Sequence, residues 1–149
     1  MDTKIVCREK RHRWAKRRRQ DPKFLPSIIW RDSRSSDKKL LRENDLDKDF
    51  IKDKISNGCF YCGETKIRMT LDRIDNSLGH LKTNVNPACM RCNYLRRDMP
   101  YDAWLFLVEG IRKATEQGAF NGWLGGNTSK YAGGEDLMDF IEVGEGPEE

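Results

Sequence analysis

The chain has 149 residues, of which 35% are charged and 37% hydrophobic. That is one domain's length, and a charged share above the roughly 25% of ordinary soluble domains leaves room for only a small apolar core. No run approaches the ~18–20 apolar residues of a bilayer span, and the opening MDTKIVCREKRHRW lacks the apolar stretch of a secretory signal. The expected location is therefore the cytoplasm, with no membrane association and no secretion. The net charge of +4 hides a gradient: residues 1–20 carry nine Lys and Arg against two acids, whereas 135–149 carry seven acids and no Lys or Arg. Such a gradient concerns partners more than fold.

In chain order, residues 1–36 read as a basic arm, with a helix over 8–19 ended by Asp21-Pro22. Lys16, Arg17, Arg18 and Arg19 are candidate phosphate contacts, and Trp14 among them can stack on a base while the cations hold the backbone. FLPSIIW at 24–30 is a short apolar patch able to dock on the core, and RDSRSS at 31–36 reads as a loop from its serines. Residues 37–57 read as helix, with Leu40, Leu41, Leu46, Phe50, Ile51 and Ile55 mostly three or four apart and Asn57-Gly58 as the stop. Asn44 or Asp45 could instead cap a separate helix over 45–56. A domain over 37–123 follows from this, with its core at 58–99. Within it Arg68–Leu71 is a strand, Asp72–His80 a polar loop, and Asn84–Asn86 a second strand ended by Pro87. A helix runs from Cys89 towards Arg97, and another over Pro100–Gln117 has Trp104, Leu105, Leu107, Val108 and Ile111 as its apolar face. Trp123 is expected on the same core. Residues 124–149 form a flexible acidic tail, in which DLMDFIEV could dock on a partner protein or cover the chain's own basic surface. The fold class is α+β: a small hairpin and helix stabilised by zinc, padded by flanking helices.

The cysteines carry the strongest signal. Cys59 and Cys62 form CFYC, Cys89 and Cys92 form CMRC, and Cys7 stands alone. Two CxxC turns each aim two thiolates at one ion, and four thiolates close a tetrahedral zinc site. Such a site has no open position, so its task is structural. The segment it clamps offers Asp72 at the end of one strand, Asn84 beside the next, and Asn93 at the start of a helix. An Asp and an Asn brought together by strand, loop, strand and helix can give Mg²⁺ or Mn²⁺ two hard oxygen ligands, which is minimal equipment for phosphodiester hydrolysis. Asp75 and Asn76 are equally well explained by a turn that shapes the loop.

Residues 59–104, CFYCGETKIRMTLDRIDNSLGHLKTNVNPACMRCNYLRRDMPYDAW, resemble the HNH endonuclease family and its ββα-metal core, in particular the zinc-bearing members common in phages and mobile elements. The resemblance implies a metal-dependent endonuclease that nicks or cuts DNA. Asp72 then corresponds to the metal-binding Asp that closes the first strand. Asn84 corresponds to the Asn that ties the loop and orients the base, and Asn93 to the second metal ligand. The departure is Arg73, where the family carries its His base; an arginine cannot be deprotonated in a protein. His80, Asp75, Asp72 or a metal-bound hydroxide are the substitutes, with Arg73 as a clamp on the scissile phosphate. Arg91, Arg96 and Arg97 are expected to contact the nucleic-acid backbone beside the metal. The other reading is a catalytically inactive, zinc-stabilised DNA- or RNA-binding protein; a third is a zinc-held adaptor working through the tail.

Overall fold

A computed structural model describes residues 3–125, so the acidic tail at 135–149 lies outside the described residues. Helix α1 spans Thr3–Gln20. Asp21 ends it by accepting the Lys23 N–H and capping a 3-10 turn at Pro22–Phe24. Helix α2, Leu25–Lys39, starts with proline in its first turn, where the missing N–H has no helical partner to lose. RDSRSS, expected as a loop, lies inside α2. Serine competes with helix only through its side chain, and here Ser33 is buried with its hydroxyl donating to the Trp30 carbonyl of the preceding turn. Packing decides the matter: Ile29 and Trp30 dock against Leu46, Ile51, Leu71 and Val85, and the Trp30 indole donates to the Leu46 carbonyl at 3.0 Å. The expected boundary between arm and domain at 36/37 thus falls within a helix.

The helix expected over 37–57 is interrupted. Leu40 and Leu41, which supplied its apolar spacing, are exposed, and Leu41 sits at φ 52°, in the left-handed region that ends a helix. Helix α3 is only Lys48–Ile55. Its cap is Asp47, whose carboxylate accepts the Phe50 N–H at 2.8 Å. Asn44 and Asp45, the expected caps, have other partners: Asn44 bonds Asp37, and Asp45 accepts the Lys82 N–H. Ile51 is completely buried, which stabilises the α3 contact by roughly 1.5–3 kcal/mol.

Strand β1, Met69–Arg73, pairs antiparallel with β2, Val85–Cys89, with Met69 opposite Cys89 and Arg73 opposite Val85. Pro87 was expected to end the second strand and instead lies within it. The Met90 N–H bonds the Arg68 carbonyl and the Ile74 N–H bonds the Asn84 carbonyl. That alternation makes Leu71–Pro87 a pair without mutual hydrogen bonds, so the sheet loses nothing at the proline. On the outer side the Pro87 carbonyl accepts the Phe60 N–H.

Helix α4, Met90–Arg96, opens on Cys89, and helix α5, Tyr101–Glu116, opens on Pro100. The hairpin lies between two helical layers. Leu71 and Val85 face α3 and α2; Thr70, Asp72 and Ala88 face α4 and α5. Of the apolar face expected on α5, Trp104 and Val108 are buried, whereas Leu105 and Leu107 are exposed. Trp123 packs edge-on to Tyr94 and stacks on Phe120. Among the described residues no helix is long and apolar enough to cross a membrane.

Candidate active site and metal centre

The four paired cysteines are all buried, and their sulphurs lie within 4.8 Å of one another. Cys59–Gly63 is a tight turn in which the Gly63 N–H bonds the Cys59 carbonyl; Cys89 caps α4 and accepts the Cys92 N–H. The Cys62 and Cys89 sulphurs are 3.7 Å apart. Metal–sulphur bonds of about 2.3 Å in a tetrahedron place sulphurs about 3.8 Å apart, so spacing and donor chemistry both fit zinc. The thiols dominate one another's titration. Contact with Cys59, then with Cys89 and Cys92, holds Cys62 far below the ordinary thiol range, while contact with Cys59, Cys62 and Cys89 pushes Cys92 up. Four cysteines that can hold a metal such as zinc therefore join the start of the hairpin segment to the first turn of α4.

The loop between the strands is braced from inside. The buried Asn84 side chain accepts the Asp75 N–H and donates to the Asp75 and Gly79 carbonyls, at 2.9, 3.0 and 3.0 Å. Asp75 accepts both the N–H and the hydroxyl of Ser77, an Asx turn that holds its carboxyl below the usual range. Arg73 is half-buried and donates to the carbonyls of Asn76 and Leu78. Both bonds use Nη1 and tie the arginine to the loop it precedes.

Asp72 and Arg96 have tasks the sequence does not announce. Asp72 is 3% exposed and Arg96 is 1% exposed. One Arg96 nitrogen reaches both Asp72 oxygens at 2.7 Å, and the Tyr61 hydroxyl donates to the same carboxylate at 2.6 Å. Arg96 also donates to the carbonyls of Arg73 and Ile74 and lies over the Tyr101 ring. A buried charge survives only when so paired. Burial pushes the Asp72 carboxyl up, against the pull of Tyr61 and Arg96. Arg96, expected at the nucleic-acid surface, is thus an internal counter-ion that pins the end of β1. Arg91, expected beside it, is also internal: it donates to the Thr115 hydroxyl, approaches the Cys62 sulphur and covers the Phe120 ring. Arg97 is exposed and bonds the Tyr94 hydroxyl.

Asn93 lies on the same side of β1 as Asp72, but its Nδ2 donates to the Thr70 hydroxyl at 2.9 Å. It opens onto a cavity of about 410 Å³ between α2, residues 68–71 and α4. Thr70, Leu71, His80 and Asn93 line this cavity; Asp72 does not. His80 and Asn93 thus both line this cavity, and Asp72 is not among its lining residues.

His80 reaches that cavity because Gly79 lets two loops touch: a Cβ at Gly79 would overlap the Glu43 carbonyl oxygen. The His80 N–H and ring Nδ1 both meet Asp37 of α2, at 2.9 and 3.0 Å, and Asn44 adds a third hydrogen bond at 2.8 Å. Burial would raise the Asp37 carboxyl, but these bonds outweigh it and hold it below the usual range. Burial lowers His80 from its ordinary 6.5, against the opposing pull of Asp37. Asp37 was not legible beforehand. It falls four residues after the buried Ser33, on the inward face of α2, and only a helical reading of that stretch exposes it as a buried acid in need of a partner.

In the basic segment, Arg17 and Arg18 are exposed on α1, and the Arg18 guanidinium lies over the Trp14 and Phe24 rings. The side chains of Lys16 and Arg19 lie outside the described residues.

No protein-family model matches the sequence, and no curated protein is similar to it in sequence. Among solved structures, the chain is similar to the rare-cutting HNH restriction endonuclease PacI, described for its mechanism of DNA perturbation, with 19% identity and a TM-score of 0.54. The match covers 63% of this chain and 81% of PacI. At that identity the likeness speaks for the fold, and with the antiparallel hairpin, α4 and the clustered cysteines it identifies the architecture as an HNH-like fold.

Proposed function

We propose that this protein is a metal-dependent endonuclease that hydrolyses phosphodiester bonds of DNA. The observation that carries the reading is the cavity in which an imidazole and a carboxamide, His80 and Asn93, open to one space on an HNH-like scaffold. Its volume suits a nucleotide-sized group. DNA is the proposed partner, with RNA as the other polymer of the same backbone chemistry. The proposed compartment is the cell interior, where reduced thiols persist.

Mg²⁺ or Mn²⁺ is the proposed catalytic cofactor. Asp72 does not fit as its ligand while Arg96 neutralises both carboxylate oxygens. Asn93 fits better, because it lines the cavity and its bond to Thr70 uses Nδ2, so its Oδ1 is the hard oxygen donor it can offer. A divalent ion would stabilise charge on the leaving oxygen. The Thr70 hydroxyl donates to the Ala88 carbonyl and accepts from Asn93, so it orients Asn93 at the cavity wall, and Arg97 and the α1 arginines offer backbone contacts.

One observation favours a second reading, a zinc-held nucleic-acid-binding protein without activity: both residues at the family's Asp–His step, Asp72 and Arg73, serve internal bonds. Supercoiled plasmid incubated with purified protein separates the two. Nicked or linear products that need Mg²⁺ or Mn²⁺ and vanish in Asn93→Ala support the endonuclease. Retarded but unbroken plasmid at every metal concentration selects the binder.

A further inference from the structure

A carboxylate in the last turn of a helix is doubly disfavoured, by the carbonyl end of the dipole and by burial. Asp37 occupies that position at 1% exposure. Its compensation comes from 43 residues away: the backbone and ring of His80, supplemented by Asn44. A carboxylate facing Nδ1 accepts a hydrogen bond, so Nδ1 carries the hydrogen and Nε2 carries the lone pair. Among the described residues nothing bonds Nε2. The ring is 14% exposed and lines the cavity that Asn93 also lines. This is the arrangement in which an acid orients a histidine base, assembled here from a helix that lies before the hairpin and a loop within it.

We propose that His80 is the general base of phosphodiester cleavage and that Asp37 is its positioning residue, so that α2 completes the active site. The inference rests on the reading of the cavity as the nuclease site. In the step, Nε2 takes a proton from a water molecule as the water oxygen forms a bond to phosphorus. One ester P–O bond breaks, its electron pair leaves with the oxygen, and that oxygen takes a proton from solvent. The imidazolium returns its proton to solvent, so one water is consumed and a phosphate monoester and an alcohol are produced.

The charged groups that act most on the ring are Asp37 of α2, Arg42 of the following loop and Arg73 of β1, and Asp32 of α2 and Arg68 before β1 line the same cavity. Burial, Arg42 and Arg73 favour the neutral ring, and Asp37 opposes them. The imidazole is thus ready to accept a proton near neutral pH.

The test is plasmid nicking by the full chain, loaded with zinc and supplied with Mn²⁺, across pH. Thermal melting of each variant verifies that it folds. His80→Ala is expected to lower the nicking rate about 10²-fold or more, and added imidazole to restore part of it. Asp37→Asn, nearly isosteric, is expected to slow nicking and to move the acid limb of the pH profile to lower pH, because the group that raised the His80 pKa is lost. Nicking by folded His80→Ala at the wild-type rate overturns the base assignment and leaves the nuclease reading standing. A loss in Asp37→Asn with an unmoved acid limb, together with no imidazole rescue, reduces the pair to a loop staple and overturns the proposal. Wild-type protein that binds plasmid but never nicks it overturns the nuclease reading and this inference with it.

Discussion

Arg96 gathers more of the local structure than any cysteine does. It joins the buried Asp72 to the partly buried carbonyls that follow it and to the Tyr101 ring. Breaking a buried pair by removing one partner leaves an uncompensated charge and costs about 3–5 kcal/mol. Arg96→Met is therefore expected to lower unfolding free energy by about that much in urea titrations, whereas a surface phosphate contact would leave stability unchanged and weaken only binding. His80 acts on stability through pH. Its folded-state pKa lies below 6.5 because burial penalises the imidazolium. Between the two values the unfolded chain binds the extra proton, so stability is lost as pH falls through that window. Melting curves from about pH 7 down to about pH 5.5 should show a falling midpoint, with a shallower fall in His80→Gln. The comparison isolates His80 from the thiols, which also take up protons in acid.

At the scale of elements, two strands of five residues each cannot form an independently stable sheet. The hairpin persists because α3 covers one face and α4 the other, and its clustered thiols could fasten the ends through a metal. If the cysteine cluster holds zinc as its spacing fits, chelation removes binding free energy of the order of 10–16 kcal/mol that is coupled to folding. One zinc per chain by metal analysis, and loss of cooperative melting in chelator, are the expected outcomes; an unchanged melt would mean the apolar contacts suffice. The inter-strand loop has its own stringent point at Gly79. Gly79→Ala must push the loop off Glu43, with a cost of about 1–3 kcal/mol as for other overpacked sites. Because His80 follows directly, the variant should also shift the His80 ring resonances in NMR spectra, reporting the strained contact with Asp37.

At the scale of the whole molecule, the basic residues divide between the interior and an exposed helix. Arg91 and Arg96 have turned inward, while α1 carries Arg8, Lys10, Arg11, Arg13, Arg17 and Arg18 outward. Contacts of such residues with a nucleic-acid backbone would release counterions. Arg17→Ala and Arg18→Ala are each expected to weaken binding of unrelated duplex sequences about equally. Each should reduce the slope of log affinity against log salt by about 1. Fluorescence anisotropy at several salt concentrations measures this, and an unchanged slope would remove α1 from the interface.

The metal knuckles, the hairpin between them, α4 and α5 were all readable from local residue order, because CxxC spacing, strand-forming runs and proline act over a few positions. The limits of α2 and α3 were not. Leu40 and Leu41 imitate a helical face, and the serines of 31–36 imitate a loop, until the packing of Trp30 and Ile51 resolves both. The roles of the polar residues were least legible of all. Whether an arginine meets solvent or a buried carboxylate depends on which distant segment closes over it, as Asp72 and Arg96 demonstrate across 24 positions. The pairing of Asp37 with His80 spans 43. Burial converts a generic charge into a specific partner, and burial is a property of the folded chain that no short stretch of residues contains.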